Sequence, residues 1–99
     1  SPSSAASDVY KRQKLMGAKW SIEILLTIAD LQVTGFNQLH QSLPGISHKV
    51  LTDRLKQLVT YRLVSRTVVE RIPLRVIYKI SPKGSTMLII LEQLNNTSN

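Results

Sequence analysis

The sequence predicts a mostly helical α+β fold in which a two-stranded antiparallel hairpin follows three helices and precedes a fourth. Apolar residues recur at helical spacing on both sides of the pair Pro44-Gly45. Over residues 63–80 the pattern changes to β-branched, strand-like segments that a proline-containing stretch divides. The chain has 99 residues, of which 42% are hydrophobic, and this is enough for one domain with one modest core.

The first predicted helix begins at Lys19 or Ser21 and ends before Gly35, which interrupts the pattern. Its apolar residues cover nearly all of its sides: Trp20, Ile22, Ile24, Leu25, Leu26, Ile28, Ala29 and Leu31. Such a helix is typical of the buried centre of a domain. A short second helix is predicted by Phe36, Leu39 and Leu43. Pro44-Gly45 ends it, because proline lacks the backbone N–H that a helix needs and glycine favours a turn.

The third predicted helix runs from about Ser47 to Thr60. Ser47 is placed to cap it by accepting a hydrogen bond from a backbone N–H of the first turn. Leucines recur along one side of this helix and predict the stripe that faces the core: Leu51, Leu55 and Leu58.

The strands of the hairpin are predicted at residues 63–70 and 75–80, with Arg71 and Arg75 at its tip. Ser81-Pro82 opens the last helix, since proline is favoured in a first turn. The apolar face of that helix is broad: Met87, Leu88, Ile90, Leu91 and Leu94. A helix, a short helix, a tight turn, an amphipathic helix and a hairpin in this order form a winged helix-turn-helix domain.

The basic residues are concentrated in the second half of the chain. Residues 47–83 contain nine basic and two acidic side chains and so carry a net charge of +7, which equals that of the whole chain. A basic half joined to a near-neutral half indicates a polyanionic partner. Because the third helix is polar opposite its leucines and the hairpin adds cations, the partner that we expect is double-stranded DNA.

Nine residues are predicted to contact DNA: Ser47, His48, Lys49, Thr52, Asp53, Arg54, Lys56, Arg71 and Arg75. Lys49 and Thr52 lie where the helix would meet base edges, whereas the hairpin arginines would reach phosphates or the minor groove. For Asp53 we favour an ion pair along the helix with Lys49 or Lys56 over a contact to cytosine. Arg54 fits a structural salt bridge as well as a phosphate contact.

Other residues have structural interpretations. His40 is expected on plain surface, Trp20 in the core or a dimer contact, and Tyr78 in strand packing. The sequence contains no cysteine and two histidines, so we expect neither disulfides nor a metal site, and dimerisation is left to stabilise so small a domain. Acidic residues are scattered and no glycine-rich phosphate loop or nucleophile motif is present, so we expect neither catalysis nor a cofactor. No apolar run reaches the roughly 18 residues of a membrane span, and we expect a cytoplasmic protein.

We assign the winged helix-turn-helix domain to residues 14–95 and a disordered tail to residues 96–99. The chain opens with Ser1 rather than Met, and residues 3–13 (SSAASDVYKRQ) resemble the translated transposase adapter of sequencing libraries. We expect residues 1–13 to be either such an artefact or a disordered arm.

Motifs along residues 15–94 resemble the HxlR-type regulators of the MarR-like winged-helix group: GAKW at 17–20, FNQL at 36–39, LPGISHKVLTDRLKQL at 43–58, LVSRT at 63–67, PLRVIY at 73–78 and SPKG at 81–84. The resemblance implies a homodimer, held by the terminal helices, that binds a pseudo-palindromic operator through two recognition helices. Many such regulators sense electrophiles or oxidants with an N-terminal cysteine, a position that falls at about Ser7 here. The inducer stays open.

Two residues depart from the family pattern. Arg62 stands where glycine is usual, and if the position requires a left-handed conformation, its cost is on the order of 1 kcal/mol. Ile77 replaces a commonly acidic residue of the wing.

The alternative function is a winged helix that binds protein without reading DNA sequence, and it requires an apolar patch on the third helix.

Overall fold

A computed structural model of the chain describes the backbone of residues 2–97 and the side chains of residues 17–94. The elements follow in the order α1 (Pro2–Leu31), β1 (Val33–Thr34), α2 (Phe36–Gln41), α3 (His48–Thr60), β2 (Val64–Arg71), β3 (Leu74–Ile80) and α4 (Pro82–Thr97). The mixed α/β class, the helix-turn-helix and the hairpin are confirmed. None of the helices in this described part is both long and apolar enough to cross a membrane.

The helix α1 begins well before its predicted start. Its first residue is Pro2, so a start at Lys19 or Ser21 is wrong. The start was predicted from apolar periodicity, which begins only at Trp20 in the sequence. The interpretation of residues 1–13 as an artefact or disordered arm stays a prediction, since their side chains lie outside the described residues.

The sheet has three antiparallel strands in the order β1-β3-β2. The hairpin β2–β3 pairs Val64 with Ile80 at its base and Arg71 with Leu74 at its far end, with an irregularity between Val68 and Glu70. The strand β1 was not predicted, because two residues are too few to show alternation. It adds to the hairpin at the free edge of β3.

The core lies where α1, α2 and α3 meet the base of the hairpin. Its buried residues are Ile24, Leu25, Ile28, Leu39, Leu43, Ile46, Leu51, Leu55, Leu58, Val64, Tyr78 and Leu88. The predicted leucine stripe of α3 and the packing role of Tyr78 are confirmed, and Trp20 packs against this core. The first helix, however, is not buried on all sides, because Ile22 and Leu26 remain 37% and 39% exposed.

The last helix buries little of its apolar face in the single chain. Leu88 is buried, whereas Met87, Ile90 and Leu94 are exposed. The helix continues to Thr97, two residues into the segment predicted as a tail, and residues 98 and 99 lie outside the described residues.

The end of α3 is closed by a residue in left-handed conformation. Arg62 has φ +61°, so the condition considered for this departure from glycine is met. The N–H of Arg62 donates to the carbonyl of Val59 at 3.0 Å, and that of Leu63 donates to the carbonyl of Leu58 at 2.9 Å. This pair of bonds is a Schellman motif, which turns the chain from α3 into β2.

Candidate nucleic-acid interface

The helix α3 starts at a side-chain cap. The hydroxyl oxygen of Ser47 accepts a hydrogen bond from the N–H of Val50 at 3.1 Å, which confirms the predicted cap. Before this cap, Gly45 has φ +90° in the turn after Pro44, a conformation that favours glycine. The turn and the cap together determine where the first turn of α3 begins relative to α2.

Because its leucines face inward, α3 turns a polar side to solvent. This outer face consists of Lys49, Thr52, Asp53, Lys56 and Thr60, of which Thr52 is half-buried and the others are exposed. Ser47 and His48 are exposed at its N-terminal end. The face carries two cations, two hydroxyl groups and one carboxylate but no large apolar side chain, a polar composition that suits a helix in the major groove.

Asp53 forms no ion pair with the lysines of this face. The predicted ion pair with Lys49 or Lys56 is wrong, since among residues 17–94 the one ion pair joins Arg75 and Glu70. Exposed charges one helical turn apart gain little from pairing in water, so their side chains extend into solvent instead.

Arg54 points away from the outer face. A β-carbon at Gly17 of α1 would lie 2.8 Å from Nη1 of Arg54, so the guanidinium packs closely on α1. Arg54 also lines a groove of about 660 Å³ together with Ile22 of α1 and Met87 of α4. Of the two interpretations that the sequence left open, this position favours the structural one, although no carboxylate partner lies among the described side chains.

The wing differs from the prediction at its tip. Arg71 pairs with Leu74 across the hairpin and Arg75 with Glu70, so the turn itself consists of Ile72 and Pro73. Arg75 Nη1 lies 4.0 Å from Glu70 Oε1, with the two side chains 70% and 55% exposed. At this exposure the pair contributes little to stability and leaves Arg75 accessible.

Arg66 was missed as a functional candidate by the sequence reasoning. It lies two residues after the buried Val64 and therefore on the same face of β2. There it lines a groove of about 460 Å³ between α3 and the sheet, opposite three residues of the outer face: Thr52, Lys56 and Thr60. The alternation along β2 could have identified Arg66 once Val64 was recognised as a core residue.

His40 is a structural residue, and its assignment to plain surface is wrong. Its Nε2 donates a hydrogen bond of 3.0 Å to the carbonyl of Ile46, because a carbonyl only accepts. The ring centroids of His40 and His48 are 4.0 Å apart, and Phe36 stacks on His40 at 6.4 Å. These contacts join α2 to the start of α3. No group of three or more metal-ligating side chains occurs in the described part of the chain.

The helix-turn-helix, the polar outer face and the basic wing together match a known family of regulators. The family model of the HxlR-like helix-turn-helix matches residues 15–99. The chain belongs to this family. The match covers every element from the middle of α1 to α4.

Individual relatives agree with this assignment. The HxlR-like chain is 35% identical to an HTH-type transcriptional regulator of Halalkalibacterium halodurans over 80 residues, which are 81% of this chain and 71% of the relative. Its structure is similar to the reduced form of the regulator YodB from Bacillus subtilis, with a TM-score of 0.72, 26% identity, and coverage of 90% of this chain and 86% of that one.

A third comparison connects the chain to the MarR group. A transcriptional regulator assigned to the MarR family of Porphyromonas gingivalis W83 gives a TM-score of 0.70 at 28% identity, over 91% of this chain and 87% of that chain. The HxlR-like chain is therefore a DNA-binding transcription regulator with a winged helix-turn-helix fold.

Proposed function

We propose that this HxlR-like protein is a homodimer that reads a pseudo-palindromic operator in the cytoplasm, with α3 in the major groove and the wing on the backbone or in the minor groove. The observation that carries the proposal is the groove between α3 and β2. In it Lys56 and Arg66 lie beside Thr52 and Thr60, and no acidic side chain lines it. One cation of the recognition helix and one of the wing therefore line the same groove, where a polyanion could meet both.

The outer face of α3 supports a division of labour between bases and phosphates. The hydroxyl of Thr52 donates a hydrogen bond of 2.8 Å to the carbonyl of His48. The hydroxyl oxygen can still accept a hydrogen bond from a base, and the methyl group can contact thymine. Lys49, two turns before Lys56, is placed to reach guanine acceptors. Ser47, His48 and Asp53 complete the base-reading end of the helix in this proposal.

Lys56, Arg66, Arg71 and Arg75 are proposed to contact phosphates or the minor groove. All four side chains are exposed, and phosphate contacts position a protein on a duplex without reading its sequence. Arg54 is not part of this set, because its guanidinium lies against α1. We propose that Arg54 supports the packing of α3 instead.

The terminal helices support the homodimer. Ile22 and Leu26 of α1, together with Met87, Ile90 and Leu94 of α4, are exposed in the single chain. Exposure of these five apolar side chains to water is unfavourable. A second copy whose α1 and α4 pack on α1 and α4 of the first would cover them. Two recognition helices would then face two half-sites about one helical turn of DNA apart.

The test begins with selection of bound duplexes from a random pool, followed by binding to selected and random duplexes over a range of salt concentrations. Each phosphate neutralised contributes about −0.9 to the slope of log K against log salt, and a dimer with roughly four to five contacts per protomer should show a slope of about −8. A slope shallower than about −3, or equal binding to selected and random duplexes, contradicts the proposal.

A function in protein binding alone finds no support on α3, since its outer face lacks the apolar patch that such a role requires. The double variant Lys49→Ala, Lys56→Ala separates the two functions. Loss of operator binding is expected for a DNA-reading helix, whereas full retention of regulation in cells would favour the protein-binding role.

A further inference from the structure

The tip of the wing, residues 72–74, is apolar, whereas the hairpin that carries it is basic. Ile72 is 95% exposed and Leu74 is 67% exposed, with the exposed Pro73 between them. Ile72 is the most exposed of the large hydrophobic residues in the described part of the chain. A single chain gains nothing by holding three consecutive apolar side chains in water, so this tip is a candidate contact for another molecule.

The hairpin carries the tip away from the core. Along β2 the first residue, Val64, is buried and every following residue is exposed. Eight residues of extended strand span roughly 26 Å, enough to reach well past the surface of the domain. The irregularity between Val68 and Glu70 falls near the tip, where such bulges increase the twist of a hairpin and change the direction of its end.

The charges around the tip select its partner. Arg66, Arg71, Arg75 and Lys79 lie along the hairpin, and Glu70, its one acidic residue, pairs with Arg75. A second copy of the same wing would be repelled by these charges. A molecule that is negative outside and apolar inside suits both features, and duplex DNA has this construction, with phosphates outside its stacked bases.

We propose that the tip enters the minor groove and that Ile72 inserts as a wedge between two base pairs, which unstacks them and kinks the duplex. Proteins that insert Ile, Leu or Pro side chains in this way bend DNA by roughly 20–90°. Arg71 and Arg75 would hold the flanking phosphates while the wedge is in place. The inference rests on the proposed function and adds to it a deformation of the operator that depends on sequence.

The experiment uses the full chain and an operator duplex obtained by selection. 2-Aminopurine is placed in turn at each step under the wing, and its fluorescence reports unstacking, while energy transfer between dyes at the duplex ends reports bending. We expect a several-fold rise in fluorescence at one step per half-site and a shorter end-to-end distance on binding of the unmodified protein.

Three variants isolate the wedge. Ile72→Ser should lose the fluorescence rise and the bend, whereas Ile72→Met, which keeps a wedge of similar size, should retain both. Arg71→Gln should flatten the salt dependence and leave the fluorescence rise in place. Because Ile72 is exposed, none of these changes removes a core contact, and thermal unfolding followed by circular dichroism checks this.

The outcomes separate this inference from the function beneath it. Tight operator binding by the unmodified protein with no fluorescence rise at any step overturns the wedge and leaves the operator-reading function intact. A rise that persists in Ile72→Ser overturns the wedge as well. Binding of the protein to dye-labelled selected and random duplexes is compared by fluorescence anisotropy. If the two affinities are equal, the proposed function is wrong, and the wedge proposal fails with it.

Discussion

The hydroxyl of Ser81 donates a hydrogen bond of 2.6 Å to the backbone carbonyl of Arg62, and this bond ties the start of α4 to the end of α3. The same oxygen accepts from the N–H of Gly84 at 3.0 Å and so caps α4. One side chain therefore satisfies two backbone groups that the helix ends leave unpaired. Lys83 reinforces the junction by donating to the carbonyl of Tyr61 at 3.0 Å.

Replacing Ser81 by Ala should destabilise the domain by about 1–2 kcal/mol, because the cap of α4 and the bond to Arg62 are lost together. Urea unfolding followed by circular dichroism measures the change. Ser85→Ala is the matched control, since Ser85 is exposed inside α4 and alanine favours a helix there. Equal effects of the two substitutions would show that the Ser81 bonds contribute nothing specific.

Arg62→Gly should stabilise the domain by about 1 kcal/mol, because the left-handed conformation at φ +61° costs an L side chain energy that glycine does not pay. Arg62→Ala keeps a β-carbon and should bring no such gain. Thermal unfolding of the three proteins gives the comparison. A lower melting temperature for the glycine variant would mean that the side chain of Arg62 makes a compensating contribution.

Arg66→Gln should weaken binding to all duplexes by a similar factor and reduce the salt slope by about 1 per protomer, since a cation at a phosphate is removed. Lys79→Gln is the control of equal charge, because Lys79 is exposed on the opposite face of the wing and does not line the groove beside α3. If both variants changed the salt slope equally, the groove between α3 and β2 would not be a specific site of phosphate contact.

Thr52→Ala should relax the preference for particular bases, worth about 1–3 kcal/mol at the affected position, and leave the salt slope nearly unchanged. Arg75→Ala should behave in the opposite way, with weaker binding to every sequence and a flatter slope. Competition between the selected operator and its single-base variants measures the first effect. If both variants gave the same profile, the division between base and phosphate contacts would be wrong.

Ile90→Lys should shift the protein from dimer to monomer, because it places a charge on the exposed apolar face of α4 that we assign to the dimer. Sedimentation equilibrium measures the change in association. Val69→Lys is matched in exposure, at 46% against 47% for Ile90, and lies on the wing, so it should leave the dimer unchanged. A dimer that survives Ile90→Lys would place the interface elsewhere.

Much of the fold could be predicted from sequence because its signals are local. The leucines of α3, the cap at Ser47, the turn at Pro44-Gly45 and the strands around Ile72-Pro73 depend on neighbours within a few residues. Such signals fail where a segment is too short or shows no apolar periodicity, and for these reasons β1 and the start of α1 were missed.

Part of the candidate site could likewise be predicted from the sequence, and part could not. Its outer face on α3 follows from helical spacing opposite the leucines, so Lys49, Thr52 and Lys56 were identified from sequence. Which residues join that face from elsewhere depends on packing between distant segments. Arg66 reaches it from β2, and the ring of His40 meets that of His48 across the turn.

The order of the elements, the inward stripe of α3 and the positive charge of residues 47–83 follow from the amino-acid sequence. Three features follow from the packing of distant segments instead: Arg54 turns to Gly17, Asp53 has no partner among the described side chains, and the wing ends in Ile72 rather than in arginine. The difference lies in the distance over which each interaction acts. Periodicity and capping act between residues close in the chain, whereas the direction of a long side chain is decided by whichever distant segment packs beside it.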